Sequence, residues 1–459
     1  MNATNQEKTT DFINVPKLVR ENKIKEVFPN LNPNVYNIRA NDFPLFDKLG
    51  RIYLDSTATS QEPKSVKDKI HEYKTTHIRG SNHSKNSEEA RESHKQYENA
   101  RQNISSFFGA NNYVMGFTSG STETSNWLGM HFPLNEGDNL ILTEMEHNSQ
   151  ILTARHIAKK NGVNVCYVPV NKKDGSLNLD TLQEIVKKQK KGNIIMNLVH
   201  VSNFTGIINP VEKIREILGD RGFLYLDMAQ SAGHIPINLD KLDVDFAGVS
   251  SHKMCGPMGM GAIFINNRSK RHIQNDISGG SAVKMVSKTF ESPVDFPANI
   301  EPGTQNIEGA IEWSYAVDFL KNISMQKIEL HDRELAKYFS GELSKIKSIR
   351  QYGPSDFNMR TGILPFNIGC FIRKNYDDVA NYLDTKGISV RDGCFCTHIY
   401  TAKMIGLPRI VHEGRTLLLN AGISDKLLKL PGTVRASFAF YNTIEEAHKV
   451  VNAIREYAK

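Results

Sequence analysis

The segment IIMNLVHVSNFTGIINPVEKIREILGDRGFLYL, residues 194–226, contains the pattern that decides the fold. Its two apolar runs, Ile194–Val199 and Phe223–Leu226, have the length of β-strands. Between them, Val211–Leu218 has the apolar spacing of an amphipathic helix. Strands that read as continuous apolar runs and are joined by helices are typical of a parallel sheet covered on both faces. The segment therefore predicts a strand–helix–strand unit of an α/β fold.

The same alternation continues on both sides of this unit. Helical patterns recur at Ile151–Lys160 and Leu179–Lys188. The apolar runs within residues 223–265 are closely spaced, so we expect part of that region to form a hairpin. We predict a large domain, residues 37–315, around a mostly parallel seven-stranded sheet. The further runs of strand length are Val114–Phe117, Leu140–Thr143, Val163–Val168, Phe246–Val249 and Gly261–Ile265.

The pattern changes in the last third of the chain. A long helical stretch is predicted from Ala310 to Lys345, and a shorter α/β alternation follows it. We predict that residues 316–459 form a smaller C-terminal α/β domain and that the polar residues 1–36 are an N-terminal extension. Residues 397–433 contain four Gly and two Pro, and are expected to be a long irregular excursion.

The composition of the 459-residue chain is that of a globular protein, with 39% apolar and 23% charged residues. Its formal net charge of +7 is mild, and no basic stripe with interleaved aromatic residues indicates nucleic acid binding. No apolar run predicts a membrane span, and the polar N-terminus does not resemble a secretory signal. Five cysteines are too few for a disulfide scaffold, so we expect a cytoplasmic protein.

Four polar clusters follow predicted strands, at the sheet edge where open α/β folds bind their ligands. In the first, Ser121 and Thr122 begin a helix directly after a strand. Their hydroxyls and the helix N–H groups would hold a phosphate, although an ordinary helix cap explains them as well. The second cluster contains His147, whose imidazole could stack on an aromatic ligand and move protons, or simply be solvated.

The third and fourth clusters carry a carboxylate and an amine. Asp227 follows a buried strand, where it needs a partner such as a protonated ring nitrogen, or else caps a helix; Gln230 could donate to a neighbouring ring oxygen. Ser250-Ser251-His252-Lys253 offers an amine suited to a Schiff base, although a single loop lysine is usually a solvated cation. Together the four clusters predict a site for pyridoxal phosphate, which needs a phosphate cradle, a stacking ring, a nitrogen partner and a lysine.

These motifs resemble those of pyridoxal-phosphate enzymes of the class V aminotransferase family, most of all cysteine desulfurases and selenocysteine lyases. The resemblance covers residues 37–459 and implies the fold-type I architecture, with the small domain carrying Cys396 and Arg435. The matching motifs are Glu144-Met145-Glu146-His147, His200-Val201-Ser202-Asn203, Asp227-Met228-Ala229-Gln230, Ser250-Ser251-His252-Lys253 and Glu301-Pro302-Gly303-Thr304-Gln305-Asn306.

The resemblance implies a role for each matching residue. Lys253 would form the Schiff base, Asp227 would pair with the pyridine nitrogen, and Gln230 with the phenolic oxygen. His147 would stack on the ring and share proton transfers with Lys253, and Asn203 would lie near the ring oxygen and the substrate. The phosphate would be held by Ser121, Thr122, Ser250 and His252, with Gly280 and Thr304 reaching the phosphate of the neighbouring subunit in a homodimer.

The resemblance also places a nucleophile and a substrate clamp in the C-terminal part. The stretch Ser389–Thr397 matches the segment that carries the persulfide-forming cysteine of the desulfurases, at Cys396. A reactive thiol needs exposure and a lowered pKa, which a sequence does not show, so a buried structural cysteine stays open. Arg435 matches the arginine that binds the substrate carboxylate, a task that suits its forked guanidinium; Arg391 is the lesser candidate.

Two further features of this region stay open. Cys394 could resolve a persulfide, form a redox pair with Cys396, or only pack. A metal site made of these two cysteines and His398 would lack the second half-site of zinc sites, so no metal is expected. The chain also departs from the family where a second histidine often follows His147, since Asn148 stands there, and in the long interval between Cys396 and Arg435.

The function that the resemblance implies is desulfuration of L-cysteine or a similar amino acid. The products would be L-alanine and a persulfide on Cys396, whose sulfur passes to an acceptor, which could be a protein. The alternatives are a selenocysteine lyase, another C–S lyase, an enzyme similar to molybdenum-cofactor sulfurases, and an epimerase. A non-catalytic scaffold with the same fold is a third class, against which the intact Lys253, Asp227 and His147 speak.

Overall fold

The computed structural model describes residues 12–81, 86–274, 279–369, 375–424, 428 and 430–459. Within them, fifteen strands occur in the following order: β1 (Ile52–Tyr53), β2 (Tyr113–Thr118), β3 (Asn139–Thr143), β4 (Asn164–Val168), β5 (Ile194–Val199), β6 (Gly222–Asp227), β7 (Phe246–Ser250), β8 (Gly261–Asn266), β9 (Val283–Val286), β10 (Glu291–Pro293), β11 (Ile349–Gln351), β12 (Ile363–Ile368), β13 (Ile388–Ser389), β14 (Arg391–Gly393) and β15 (Thr433–Ser437).

Helices cover most of the remaining chain, and none in the described part is both long and apolar enough to cross a membrane. They are α1 (Val15–Arg20), α2 (Ile24–Val27), α3 (Val35–Asp42), α4 (Pro44–Leu49), α5 (Lys64–Thr76), α6 (Glu88–Phe107), α7 (Ser121–His131), α8 (Asn148–Asn161), α9 (Leu179–Lys188), α10 (Val211–Leu218), α11 (Leu239–Leu242), α12 (Ile307–Ile323), α13 (Met325–Leu343), α14 (Tyr376–Thr385), α15 (His398–Met404), α16 (Arg409–Asn420) and α17 (Ile444–Ala458).

A seven-stranded sheet organises the first two thirds of the chain. Its strand order is β2-β8-β7-β6-β5-β3-β4, and all its strands are parallel except β8, which is antiparallel to β2 and to β7. Each of the seven apolar runs forms one strand, so the predicted α/β fold with a mostly parallel sheet is confirmed. The antiparallel pair β7–β8 accounts for the close spacing of the last two runs.

The strands read as continuous apolar runs because the sheet is covered on both faces. Strands β3, β5, β7 and β8 are buried at every position. On one face Phe108, Phe264 and Trp313 belong to the larger core; on the other, Trp127 and Phe132 belong to a second core. Burying each such side chain stabilises the fold by about 1.5–3 kcal/mol, so these layers hold the carboxyl edge of the sheet firmly.

The C-terminal part is built on a second, smaller sheet. Its order is β11-β12-β15-β14, and all its neighbours are antiparallel. The N-terminal residues pack on this part, where Val15 and Phe28 enter its core. The backbone N–H of Asn32 also donates to Nδ1 of His331 at 2.9 Å. Residues 1–11 of the predicted extension lie outside the described residues.

One predicted helix of the C-terminal half needs correction. The single long helix expected from Ala310 to Lys345 is two helices, because Ser324 adopts a positive φ of 80° between α12 and α13. The predicted domain boundary after residue 315 falls inside α12.

The described residues of 397–433 are largely helical rather than irregular. Gly406, with φ +83°, follows the end of α15, and Pro408 caps the start of α16. Here Gly and Pro mark the ends of helices, and they do not indicate a loop. Residues 425–427 and 429 lie outside the described residues.

Candidate active site

Lys253 lies at the carboxyl edge of the large sheet, in the single helical turn that follows β7. This turn is held to β8 because the backbone N–H of Ser251 donates to the carbonyl of Met260 at 3.0 Å. Burial lowers the pKa of the Lys253 amine, and the Arg435 guanidinium lowers it further. Asp227 and Cys396 raise this pKa, but the net shift is downward. Three residues that are distant in sequence therefore act electrostatically on this amine.

Asp227, the last residue of β6, is buried and held through both carboxylate oxygens. Its Oδ1 accepts from the backbone N–H of Ala229 at 2.9 Å, and its Oδ2 from Nε2 of Gln150 at 3.4 Å. The oxygen of Gln150 accepts from Ser125 at 3.0 Å and Asn197 at 3.2 Å, so its NH2 group must face the aspartate. These donors fix the orientation of the carboxylate.

Gln150 is a site residue that the sequence reasoning missed. The available signal was its place in the first turn of α8, three positions after His147.

His147 caps the start of α8 on the same edge of the sheet. Its Nδ1 accepts from the backbone N–H of Ser149 at 3.2 Å, so the neutral ring carries its proton on Nε2. Burial lowers the pKa of His147, and the charges of Lys253 and His398 lower it further. The Asp227 carboxylate raises this pKa, but the net shift is downward. The ring is therefore neutral near pH 7 and lies within electrostatic range of the lysine and the aspartate.

The start of α7 and the end of β7 form a small hydroxyl-lined cradle. Oγ of Ser250 accepts from the backbone N–H of Ser121 at 2.9 Å and contacts its hydroxyl at the same distance. A Cβ on Gly120 would come within 3.2 Å of Ser250 Oγ, and one on Gly261 within 2.5 Å of Gly120 Cα. Only glycines allow this close approach, which leaves the helix N-terminus open to an anion. Thr122 is exposed in the first turn of α7.

His252, next to Lys253, contacts the segment that follows β1. Its Nδ1 lies 3.1 Å from Oγ1 of Thr59, and its carbonyl accepts from the backbone N–H of Ser60 at 3.0 Å. Burial and the charge of Lys253 lower the pKa of His252 to about 4. The imidazole is therefore neutral and its remaining nitrogen can serve a ligand.

Two buried amides in the site have oxygens without a partner among the described residues. Nε2 of Gln230 donates to the carbonyl of Thr57 at 2.8 Å, which leaves Oε1 unpaired. Nδ2 of Asn203 donates to the carbonyl of Phe395 at 2.7 Å, which leaves Oδ1 unpaired. Buried polar atoms without partners are costly and indicate a polar ligand. With the Asp227 carboxylate, the Ser121–Ser250 cradle and the second N–H that each NH2 group can donate to a ring oxygen, they fit the polar groups of pyridoxal phosphate.

Cys396 reaches the site from the small sheet. The turn Cys394–Thr397 follows β14 and is closed by a hydrogen bond from the N–H of Thr397 to the carbonyl of Cys394 at 2.9 Å. Its two central residues, Phe395 and Cys396, have positive φ values of 55° and 56°. Cys396 is exposed, whereas Cys394 is partly buried and its pKa is raised by burial.

Arg435, on β15, lies beneath this turn and is buried. Its Nη1 donates to the carbonyl of Asn203 at 2.8 Å, its Nη2 to Oδ1 of Asp55 at 2.9 Å, and its Cζ lies 4.5 Å from the centre of the Phe395 ring. Burial lowers the pKa of Arg435 to about 10. Arg391 pairs with Arg435 across the small sheet but is exposed. Asp55 was not predicted as a site residue.

Gly280 and Thr304 lie on two exposed loops that contact each other. The backbone N–H of Gly303 donates to the carbonyl of Gly280 at 2.8 Å. The two predicted partner-facing residues are thus brought together at the surface, whereas the other predicted site residues gather along the carboxyl edge of the large sheet.

The family model for class V aminotransferases matches residues 52–450. The chain belongs to the class V aminotransferase family. The cysteine desulfurase of Haloferax volcanii is 31% identical over 417 residues, which cover 88% of each chain. A probable cysteine desulfurase of Halalkalibacterium halodurans is 32% identical over 446 residues, which cover 95% of this chain and 97% of the relative.

Solved structures that superimpose on this class V aminotransferase include cysteine desulfurases. The apo cysteine desulfurase of Thermococcus onnurineus NA1 superimposes with a TM-score of 0.81 at 28% identity, over 92% of this chain and 98% of that chain. A cysteine desulfurase of Escherichia coli superimposes with a TM-score of 0.77 at 26% identity over the same shares. The predicted family resemblance and fold class are confirmed; the roles of individual site residues stay predictions.

Proposed function

We propose that this class V aminotransferase is a pyridoxal-phosphate-dependent cysteine desulfurase. The observation that carries the proposal is that the exposed Cys396, from the small sheet, is held at 2.7 Å through its carbonyl by the N–H of Asn148, beside His147, and acts electrostatically on Lys253. An epimerase or an aminotransferase has no use for a thiol at that place. The names of the relatives, at about 30% identity over most of the chain, support the same activity.

The residues that would hold the cofactor line the carboxyl edge of the large sheet. When bound, pyridoxal phosphate supplies an electron sink for negative charge at the substrate Cα. Lys253 would hold it covalently, since burial lowers the pKa of its amine and favours the neutral, nucleophilic form. Asp227 would bind the ring nitrogen, and His147 would lie against the ring. The other contacts would come from Gln230 and Asn203 at the ring oxygen and from Ser121, Thr122, Ser250 and His252 at the phosphate.

Lys253 and His147 would serve the proton transfers in different ways. The freed Lys253 Nζ would take the proton from the substrate Cα. His147 would offer its Nε2–H as a hydrogen-bond donor, because its Nδ1 already accepts the N–H of Ser149.

Arg435 and Cys396 would act on the substrate itself. Nε of Arg435 has no partner among the described residues, so the guanidinium has a donor left for the substrate carboxylate. The Cys396 thiolate would attack the substrate sulfur, the Cβ–S bond would break, and Cβ would be protonated. L-cysteine and the thiol would thus become L-alanine and a persulfide, which passes its sulfur to an acceptor.

The test is to incubate the protein, saturated with pyridoxal phosphate, with L-cysteine and a thiol reductant. Alanine and sulfide should form in equal amounts, and Cys396→Ser should abolish both. Cys394→Ser is the matched control, two residues away in the same turn, and should retain turnover. Pyruvate in place of alanine would indicate β-elimination, and no turnover by a fully loaded protein would refute the desulfurase assignment.

We also propose a cytoplasmic homodimer in which Gly280 and Thr304 reach the partner's phosphate site. The exposure of both loops and the hydrogen bond that joins them support this arrangement. Cys370 lies outside the described residues, and the other four cysteines are free thiols, which suits a reducing compartment. Light scattering should give twice the chain mass, and Thr304→Ala should weaken cofactor binding without changing that mass.

A further inference from the structure

Two places where the sequence departs from the family contact each other in the structure. Asn148 stands where a second histidine often follows His147, and α15 begins the unusually long interval after Cys396. The backbone N–H of Asn148 donates to the carbonyl of Cys396 at 2.7 Å. Its side-chain Nδ2 donates to Nδ1 of His398, the first residue of α15, also at 2.7 Å. One residue of the cofactor-bearing sheet edge therefore binds both ends of the segment 396–398.

The turn that carries Cys396 needs such contacts. Phe395 and Cys396 both have positive φ values, a conformation that is unfavourable for side chains with a Cβ and especially for an aromatic one. Phe395 is held by the hydrogen bond from Asn203 and by the guanidinium of Arg435. Cys396 and the residues after it are held by Asn148. Contacts with the large sheet thus offset the strain on both sides of the turn.

Helix α15 is itself anchored to the large domain beyond His398. The hydroxyl of Tyr400 donates to the carbonyl of Gly175 at 2.9 Å, and Lys403 forms an ion pair with Glu144. Glu144 in turn accepts the backbone N–H of Val170 at 2.9 Å. The helix therefore holds His398 in a fixed position. The hydrogen bond between His398 and Asn148 then restrains the turn that carries Cys396.

We propose that Asn148 and His398 form a latch that positions the Cys396 thiol for attack on the substrate sulfur. The inference rests on the proposed function, in which Cys396 is the nucleophile. His398 acts through Asn148 and does not touch the substrate, so it is a positioning residue. The amide at position 148 supplies the donor of this bond, and Nδ1 of His398 is its acceptor.

The test compares the holoenzyme with His398→Ala, Asn148→Ala and the double variant. Hydrogen exchange of peptides covering residues 394–404 reports whether the turn is released, independently of activity. A single-turnover burst of alanine, without reductant, reports the sulfur step. We expect about five- to tenfold faster exchange and a burst slower by a similar factor in each variant, since about one hydrogen bond is lost. The KM for L-cysteine and the cofactor absorbance should stay unchanged because Arg435 and Lys253 are intact.

Two comparisons separate positioning from a general loss of structure. His398→Gln keeps an acceptor and should restore both readouts, and His71→Ala, on the exposed side of α5, should match the wild type. The double variant should be no worse than either single variant, because both remove the same bond. Unchanged exchange in residues 394–404, or additive effects in the double variant, would overturn the latch. If the variants exchange faster but the wild type makes no alanine, the latch is supported and the desulfurase assignment is refuted.

Discussion

Nη2 of Arg435 donates to Oδ1 of Asp55 at 2.9 Å, an ion pair that joins the region after β1 to β15 across 380 positions of sequence. Arg435 is almost entirely buried, and its Nη1 is also occupied, by the carbonyl of Asn203. The carboxylate therefore neutralises a buried cation and fixes the direction in which the remaining donor of the guanidinium points. Binding of the substrate carboxylate depends on that direction.

Replacing Asp55 should impair substrate binding more than the chemical step. Asp55→Ala leaves the buried guanidinium unpaired and should cost about 3 kcal/mol of stability, with a raised KM for L-cysteine. Asp55→Asn keeps an acceptor and should lose less. Urea unfolding and steady-state kinetics measure the two effects. A fall in kcat at unchanged KM in both variants would contradict a role in orienting Arg435.

Replacing Lys253 should remove the covalent attachment of pyridoxal phosphate. Borohydride reduction of the holoprotein should add the mass of the reduced cofactor to the peptide containing Lys253, and Lys253→Ala should show no such addition and no turnover. Lys213→Ala, an exposed lysine on α10, is the control and should behave as the wild type. Attachment that persists in Lys253→Ala would move the Schiff base to another lysine.

Gln150 should matter for cofactor affinity because it donates to the buried Asp227. Gln150→Leu removes a hydrogen bond to a charged group, for which about 1.5–3 kcal/mol is typical, so affinity should fall by about 10- to 100-fold. Titration of the apoprotein with pyridoxal phosphate, followed by absorbance, measures this. Gln183→Leu, on the exposed side of α9, should have no effect. Equal affinities in both variants would show that Asp227 needs no such donor.

The pH dependence of stability should contain a contribution from His331. Its Nδ1 accepts from Asn32 and its Nε2 donates to Asn442, both at 2.9 Å, and burial lowers its pKa to about 4. In the unfolded chain the imidazole takes up a proton near pH 6.5, whereas in the folded chain it stays neutral down to about pH 4. Stability should therefore fall as the pH drops from about 6.5 to about 4.

His331→Gln should reduce this dependence. Its free energy of unfolding should change less steeply with pH, by up to about 1.4 kcal/mol per pH unit between pH 6 and 5. Urea midpoints at several pH values measure the slope. Identical slopes in the two proteins would mean that His331 is protonated in the folded state.

Much of the site could be predicted because its residues follow strands of one parallel sheet. Ser121, His147, Asn203 and Lys253 come shortly after a strand and Asp227 ends one, and strands that run the same way end at the same edge. The strands themselves were visible as apolar runs because both faces of the sheet are buried. The helices α15 and α16 were missed, since their Gly and Pro were taken for loop residues when they mark helix ends.

The sequence by itself determined the strand order in the chain, the chemistry available at each strand end and the family to which the chain belongs. Local spacing carries this information, because helix and strand periodicities depend on near neighbours. Only the tertiary structure decided the pairs Asp55–Arg435, Gln150–Asp227 and Asn148–His398. Their members are 77 to 380 residues apart, and contacts of that kind arise only when the elements that carry them pack against each other.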